Sequence, residues 1–139
     1  MILFKPEFVP KILNGEKTET RRYGVKRWGN GSVHQAKTNF SEGGGFAKIK
    51  IIKEPYQQEL KTMQDTDAKA EGGFTIHESC KSKMIDKIYA RMACRKCSHN
   101  GTCFQFVWLK MNGAWKPDNK PWVVTFETVK EDTDNVENV

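Results

Sequence analysis

The sequence contains no apolar run approaching the roughly 20 residues that a membrane-spanning helix needs. Its first residues, MILFKPEF, reach a charge and a proline too early to act as a secretory signal, so no export is expected. It also contains no internal repeat, which argues against a solenoid or a propeller. These absences predict a cytoplasmic protein with no membrane partner.

The chain is long enough for one domain with its own core, because it has 139 residues. We assign this domain to residues 1–129. The last ten residues, KEDTDNVENV, hold four acids and one lysine, and we expect residues 130–139 to form a disordered acidic tail.

Positive charge dominates the rest of the chain. Residues 1–129 hold 22 Lys and Arg against 13 Asp and Glu, a net charge of +9. A basic body favours an anionic partner, and nucleic acid is the commonest such partner. Charge that serves only solubility is the alternative explanation.

Hydrophobic spacing predicts short strands and few helices. FKPEFVPKILNG favours a helix that Gly15 ends, and DAKAEGG favours another. Thr75 and Glu78 form a capping-box pattern that predicts a helix through Met92, with its buried stripe at Ile85, Ile88, Tyr89 and Met92. Strands are predicted at SVHQAKT, FAKIKI, FQFVWLK and PWVVTFETV, and a flexible loop or hairpin tip at SEGGG. This pattern favours an α+β fold, a small mixed β-barrel with helices packed at its ends.

The stretch NGEKTETRR places cations and hydroxyls directly after a turn. Three interpretations fit such a pattern: the polar face of an edge strand, a grip for phosphate, or a hydroxyl nucleophile with its base. The residues alone do not decide between them.

The block GEKTETRR resembles the Gly-x-Lys-Thr-x-Thr-x-Arg signature of the ASCH domain family. GSVHQAKT, FAKIKI, DTDAKAEGGFT and PWVVTFETV also resemble that family, in the same order, over roughly residues 2–79 and 115–129. Two features depart from the pattern: an arginine directly follows Thr20, and a cysteine-rich segment looks like an insertion over residues 80–103. The resemblance implies a PUA-like β-barrel of five or six mixed strands flanked by helices, with a basic cleft.

Most members of that family are thought to bind RNA, and some small bacterial members remove the acyl group from N4-acetylcytidine. Carried over residue by residue, the resemblance implies a catalytic set of Lys17, Thr20 and Glu71. In this set Lys17 is the base, Thr20 the nucleophile and Glu71 the acid. The implied partner is a modified cytidine nucleoside or RNA, and no cofactor is needed for catalysis. The sequence gives no indication of the oligomeric state.

A threonine hydroxyl needs a base to attack a carbonyl at neutral pH, and a lysine can be that base only when it is neutral. Its pKa of about 10.4 must therefore fall. The cations Lys5, Arg21 and Arg22 are placed to lower it and to hold the substrate, and Trp28 in RRYGVKRW is placed to stack on a base. The alternative is a non-catalytic RNA-binding module, in which Lys17 and Arg21 hold phosphates and Glu71 caps a helix.

Four cysteines lie close together in the sequence: Cys80, Cys94, Cys97 and Cys103. The C-x2-C spacing of Cys94 and Cys97 suits chelation of one ion, and Cys80 and Cys103 would complete a tetrahedral thiolate site. A structural zinc is the first hypothesis, and an iron–sulfur cluster is the second. Reduced cysteines that share a loop, or disulfides, remain alternatives.

Overall fold

The computed structural model describes residues 1–41, 43–86, 88 and 102–129. Among these residues no helix is both long and apolar enough to cross a membrane. The strands are β1 (Ile2–Leu3), β2 (Glu19–Arg22), β3 (Val33–Lys37), β4 (Ala47–Ile51), β5 (Tyr56–Gln57), β6 (Ile85–Asp86), β7 (Ala114–Trp115) and β8 (Trp122–Val129). The α-helices are α1 (Val9–Leu13), α2 (Asp65–Ala70) and α3 (Phe104–Asn112), and short 3-10 turns lie at Pro6–Phe8, Leu60–Thr62 and Glu78–Cys80.

The main sheet runs in the order β1-β3-β4-β8-β2, and β5 also pairs with β8. Strands β1 and β3 are parallel, and the other pairs are antiparallel. The long strand β8 pairs with β4 through residues 126–129 and with β2 through residues 122–125. One strand therefore serves two sets of partners, and the sheet curls around it. The predicted α+β fold is confirmed: mixed strands form a small, curled half-barrel sheet that helices flank.

Alternating side chains determine which face of the sheet is buried. On β4, Ile49 and Ile51 are buried while Lys48 and Lys50 are exposed. The covered face packs against Phe8, Phe104 and Trp108 of the helical segments and against Phe74 of the connection that follows α2. Strands β3, β4 and β8 and helix α2 lie where the sequence places them, and Gly15 follows α1 with a φ of 81°.

One predicted strand, FQFVWLK, is wrong, because residues 104–112 form helix α3. Phe104, Trp108 and Leu109 are buried together, a spacing that suits one face of a helix. Gly113 ends the helix with a φ of 85°. Packing on this face outweighs the preference of Phe, Val and Trp for strands.

The helix predicted from Thr75 through Met92 is also wrong over residues 75–86, which the structure describes without a gap. The backbone of Thr75 forms a parallel bridge with Cys103, so it does not cap a helix. Residues 78–80 form a 3-10 turn, and Ile85 belongs to strand β6. Ile85 is buried as predicted, but Ile88 is 69% exposed.

Several predicted features lie outside the described residues. They are Tyr89 and Met92 of the predicted helix, most of the cysteine-rich segment and the tail at residues 130–139. The predictions for them, including the insertion over residues 80–103, stay predictions.

Candidate active site

One cavity brings together the three residues that the resemblance assigns to catalysis. It has a volume of about 450 Å³, and strand β2, the end of helix α2 and the segment before α1 contribute to its walls. The walls include Lys17, Thr20, Glu71, Lys5, Arg21 and Arg22. The structure brings these six residues to one cavity, and their roles stay predictions.

Main-chain hydrogen bonds hold Lys17 beside Glu71. The Lys17 amide donates to Lys11 O in α1 over 2.9 Å, and the Thr18 amide donates to Ala70 O at the end of α2 over 2.7 Å. Because Glu71 directly follows Ala70, its side chain comes next to the Lys17 side chain. The motif and the distant helix end are thus joined by backbone contacts.

The ammonium group of Lys17 is fully hydrogen-bonded. Its Nζ donates to Glu71 Oε1 over 3.0 Å, to Glu71 O over 2.8 Å and to Glu19 O over 2.8 Å. It also lies 4.6 Å from the centre of the Phe8 ring. Lys17 and Glu71 are each 3% exposed, so water hardly screens this ion pair. Three acceptors around one Nζ is the pattern expected for a protonated lysine.

Burial acts against this charge. Desolvation lowers the pKa of Lys17 below its ordinary value of 10.5, the Glu71 carboxylate opposes the shift, and Arg22 and Arg21 add to it. A shift of one proton from Nζ to Oε1 would leave a neutral amine and a neutral carboxylic acid. Such a pair avoids the cost of keeping two charges in a buried site.

Arg21 is engaged mainly with protein groups. Its Nη1 donates to Glu71 Oε2 over 2.8 Å and to Glu19 Oε1 over 3.1 Å. Its Nη2 donates to Gln58 Oε1 over 2.7 Å and lies 3.4 Å from Asp67 Oδ1. The third nitrogen of the guanidinium group, Nε, is buried and has no hydrogen-bond partner among the described residues. Nη1 therefore holds Glu71 in place, and Nη2 is occupied by Gln58 and Asp67. This leaves only Nε for the substrate contact that the sequence suggests.

The hydroxyl of Thr20 is bonded to an arginine rather than to the lysine. Thr20 Oγ1 accepts a hydrogen bond from Arg22 Nε over 3.0 Å, and in the described part of the chain no hydrogen bond joins Thr20 to Lys17. Arg22 also donates through Nη2 to Leu3 O and stacks on Phe4, with its guanidinium carbon 5.1 Å from the ring centre. A cation beside Oγ1 stabilises negative charge that develops there.

The sequence did not indicate that helix α3 contributes to the site. Met111 and Asn112 at its end line the cavity together with Phe8. Asn112 is positioned by a hydrogen bond from Nδ2 to Trp108 O, over 3.3 Å. Because FQFVWLK is predicted to be a strand, the contribution of α3 to the cavity wall is not expected. No pattern in the sequence indicates it.

Trp28 does not line this cavity. It lines a second one, of about 190 Å³, to which Arg22 also contributes. The sequence predicts Trp28 to lie with the substrate-binding residues. In the structure, Trp28 lines a different cavity from the one that Lys17, Thr20 and Glu71 line.

Two of the four predicted metal ligands lie within the described residues. Cys80 and Cys103 are both buried, and contacts through His77 and Gln105 connect them. Cys80 Sγ lies 3.1 Å from His77 Nδ1. The His77 amide and Cys103 Sγ both donate to Gln105 Oε1. Cys94 and Cys97 lie outside the described residues. Within residues 1–41, 43–86, 88 and 102–129, no group of three or more His, Cys, Asp or Glu side chains could hold a metal ion. The four-cysteine site therefore stays a prediction.

Two solved structures are similar to this chain. One is a protein from Enterococcus faecalis described under the family model DUF984, with 15% identity and a TM-score of 0.49 over 94% of this chain and 72% of that one. The other is an ASCH domain from Lactobacillus crispatus, with 17% identity and a TM-score of 0.44 over 86% of this chain and 69% of that one. No protein-family model and no curated protein matches the chain.

Proposed function

We propose that the protein is an amidohydrolase that removes the acyl group from the N4 nitrogen of an N4-acylcytidine. The observation that supports this proposal is the buried Lys17–Glu71 pair, 3.0 Å apart, in the wall of a cavity that Thr20 also lines. A base, an acid and a hydroxyl are the groups that amide hydrolysis through an acyl-enzyme needs.

In the first half of the reaction, Thr20 Oγ1 attacks the carbonyl carbon of the amide and its proton passes to the neutral amine of Lys17. Arg22 Nε, 3.0 Å from Oγ1 in the free protein, stabilises the hydroxyl oxygen as negative charge develops. The carbon–N4 bond then breaks, and the carboxylic acid form of Glu71 protonates N4. Cytidine leaves, and the acyl group stays on Thr20 as an ester.

In the second half, water attacks the ester carbonyl, the carbon–Oγ1 bond breaks, and the acyl group leaves as a carboxylic acid. Glu71, now a carboxylate, orients this water and accepts its proton, while the protonated Lys17 returns its proton to Oγ1. The sum of the two halves is one amide and one water converted to one amine and one carboxylic acid.

The resting arrangement is protonated and must change before attack. All three hydrogens of Lys17 point at acceptors other than Thr20. Transfer of one proton to Glu71 Oε1 makes both the neutral base and the protonated acid in a single step. The amine then has to rotate towards Thr20, and catalytic hydrogen bonds often tighten in this way when a substrate binds.

The cavity has the size and lining of a small-ligand site. Its volume of about 450 Å³ falls within the ~300–1,000 Å³ that ligand pockets usually have. Phe4 and Phe8 supply apolar walls, and Thr38 and Asn112 supply polar groups that can bond a pyrimidine edge.

Incubation of the protein with N4-acetylcytidine, followed by separation of the products, tests the proposal. Cytidine and acetate should form in equal amounts. If no cytidine forms at any pH from 7 to 9, the proposal fails.

A non-catalytic RNA-binding module is the second candidate, and the exposed Lys48 and Lys50 on β4 favour it. Such a module would bind RNA with a strong dependence on salt and would lose affinity when these lysines are replaced. It would leave N4-acetylcytidine unchanged, so the same assay separates the two candidates.

A further inference from the structure

The second cavity lies on the same face of the β2–β8 pair as the proposed nucleophile. In the register of these strands, Thr20 is opposite Val124 and Arg22 is opposite Trp122. Alternate residues of a strand share a face, so all four side chains project to one side of the sheet. Arg22 lines both cavities, which makes them neighbours.

Aromatic rings and arginines form the walls of this second cavity. Its lining includes Arg22, Tyr23, Arg27, Trp28 and Trp122, around a volume of about 190 Å³. That volume is below the ~300 Å³ of a typical ligand pocket, and it suits one planar ring rather than a whole nucleoside. Nucleobases stack on aromatic rings and on guanidinium planes in single-stranded RNA sites.

Two of the rings are held in fixed positions. Trp122 Nε1 donates to Gly24 O over 3.0 Å, and the Tyr23 hydroxyl accepts from Asn119 Nδ2 over 3.1 Å. The Tyr23 ring also packs edge-on against Trp108, with 5.3 Å between the ring centres. Fixed walls reduce the entropy that is lost when a ligand binds.

Trp28 occupies an unusual backbone conformation for an aromatic residue. Its φ of 58° lies in the left-handed region. Among the described residues, Trp28 is the only residue other than glycine that has a positive φ. That region is unfavourable for a bulky side chain, whereas glycine adopts it readily. The presence of a tryptophan here is therefore better explained by contacts of its ring than by the needs of the turn.

A cation without an acidic partner lies at the same place. Arg27 is exposed, and no acidic side chain within the described residues pairs with it. The neighbouring Lys26, in contrast, is paired with Glu54. An unpaired arginine next to stacking rings is placed to bind a phosphate of the backbone.

We propose that this cavity binds the nucleobase next to the acylated cytidine, with Arg27 on the phosphate that links the two nucleotides. The preferred substrate is then an RNA oligonucleotide rather than the free nucleoside. This inference rests on the proposed function, because it takes the acylated cytidine to occupy the larger cavity.

Tryptophan fluorescence gives a direct measure of binding in this cavity. Of the four tryptophans, Trp108 and Trp115 are 1% and 0% exposed, whereas Trp28 and Trp122 both line the cavity. The trinucleotide ACA, unmodified, should quench the fluorescence with saturation, and cytidine alone should quench it far less. Trp28→Gly should weaken the binding of ACA roughly tenfold, as expected for loss of one stacked base.

Arg27→Gln should also weaken the binding of ACA and reduce its dependence on salt. This variant changes an exposed residue, so it tests the site even if Trp28→Gly does not fold. Lys83→Gln is the matched control, because Lys83 is exposed, carries the same charge and lines neither cavity. It should bind ACA as the unaltered protein does.

A kinetic comparison separates the failure of this inference from the failure of the proposed function. ACA with an N4-acetylated cytidine should be hydrolysed with a kcat/KM at least tenfold above that of N4-acetylcytidine, and Arg27→Gln should remove most of that advantage. Equal kcat/KM for both substrates, or equal quenching by cytidine and ACA, would overturn the subsite and leave the amidohydrolase intact. Hydrolysis of neither substrate would overturn the proposed function, and with it the assignment of this cavity.

Discussion

Lys17 Nζ and Glu71 Oε1 lie 3.0 Å apart in a buried ion pair, although 54 positions separate the two residues in the sequence. The second carboxylate oxygen, Oε2, is bonded to Arg21 over 2.8 Å. Glu71 is thus held from both sides, and its position depends on strand β2 and on the end of helix α2 together.

The rate of hydrolysis should fall at high pH. The proposed mechanism needs the one proton that Lys17 and Glu71 share, because its transfer to Glu71 Oε1 makes both the neutral base and the acid. Burial lowers the pKa of Lys17 below 10.5, so the pair loses this proton to solvent as pH rises through that lowered pKa. The acid for N4 is then missing, and kcat/KM decreases. A pH profile of kcat/KM measures this. Lys17→Arg, which stays charged, should be inactive at every pH. A kcat/KM that still increases at pH 10.5 would contradict the role of the shared proton.

Arg21 should matter for stability as well as for activity. Arg21→Met would leave the buried carboxylate of Glu71 and the half-buried carboxylate of Glu19 without their arginine partner, at a cost of about 3–5 kcal/mol in the free energy of unfolding. Urea denaturation measures this cost. The control is Arg27→Met, at an exposed site, with an expected change below about 0.5 kcal/mol. Equal stability of the two variants would show that the Arg21 network contributes nothing.

Two adjacent glycines in the β3–β4 connection should respond differently to alanine. A Cβ at Gly45 would overlap the carbonyl oxygen of Ala36, whereas a Cβ at Gly44 would meet no atom within 4 Å. Gly45→Ala should therefore lower the free energy of unfolding by about 1–3 kcal/mol, and Gly44→Ala should leave it nearly unchanged. Thermal unfolding of both variants tests this. A similar loss of stability in both would show that the overlap with the Ala36 carbonyl oxygen is not the cause.

The cysteine-rich segment is predicted to bind one structural metal ion through Cys80, Cys94, Cys97 and Cys103. Elemental analysis should find about one zinc per chain, and a chelator should lower the Tm. Cys103→Ser should reduce the metal content and the Tm together. Iron with a visible absorption band would identify the iron–sulfur alternative. Absence of both metals from freshly purified protein would refute the site.

The sequence predicts much of the sheet because its strands alternate. Ile49 and Ile51 alternate with lysines in β4, and this pattern alone determines which face is buried. It does not predict helix α3, because Phe104, Val107 and Trp108 favour strands locally and only their common packing surface selects a helix.

The candidate site shows the same limit. Lys17, Thr20 and Glu71 follow from the resemblance, but the different surroundings of Arg21 and Arg22 do not. Strand alternation places these two arginines on opposite faces, and Glu71 and Asp67, which surround Arg21, reach it only through the fold. The hydrogen bond from Arg22 to the Thr20 hydroxyl depends on side-chain positions that no spacing reveals.

Replacement of the proposed nucleophile tests the central claim most directly. Thr20→Val keeps the shape of the side chain and removes the hydroxyl, and Thr18→Val makes the same change at a motif residue that does not line the cavity. With N4-acetylcytidine as substrate, Thr20→Val should lower kcat by at least about a thousandfold, as expected when a covalent nucleophile is removed, and Thr18→Val should retain most of the activity. Comparable turnover by Thr20→Val and the unaltered protein would contradict the proposed mechanism.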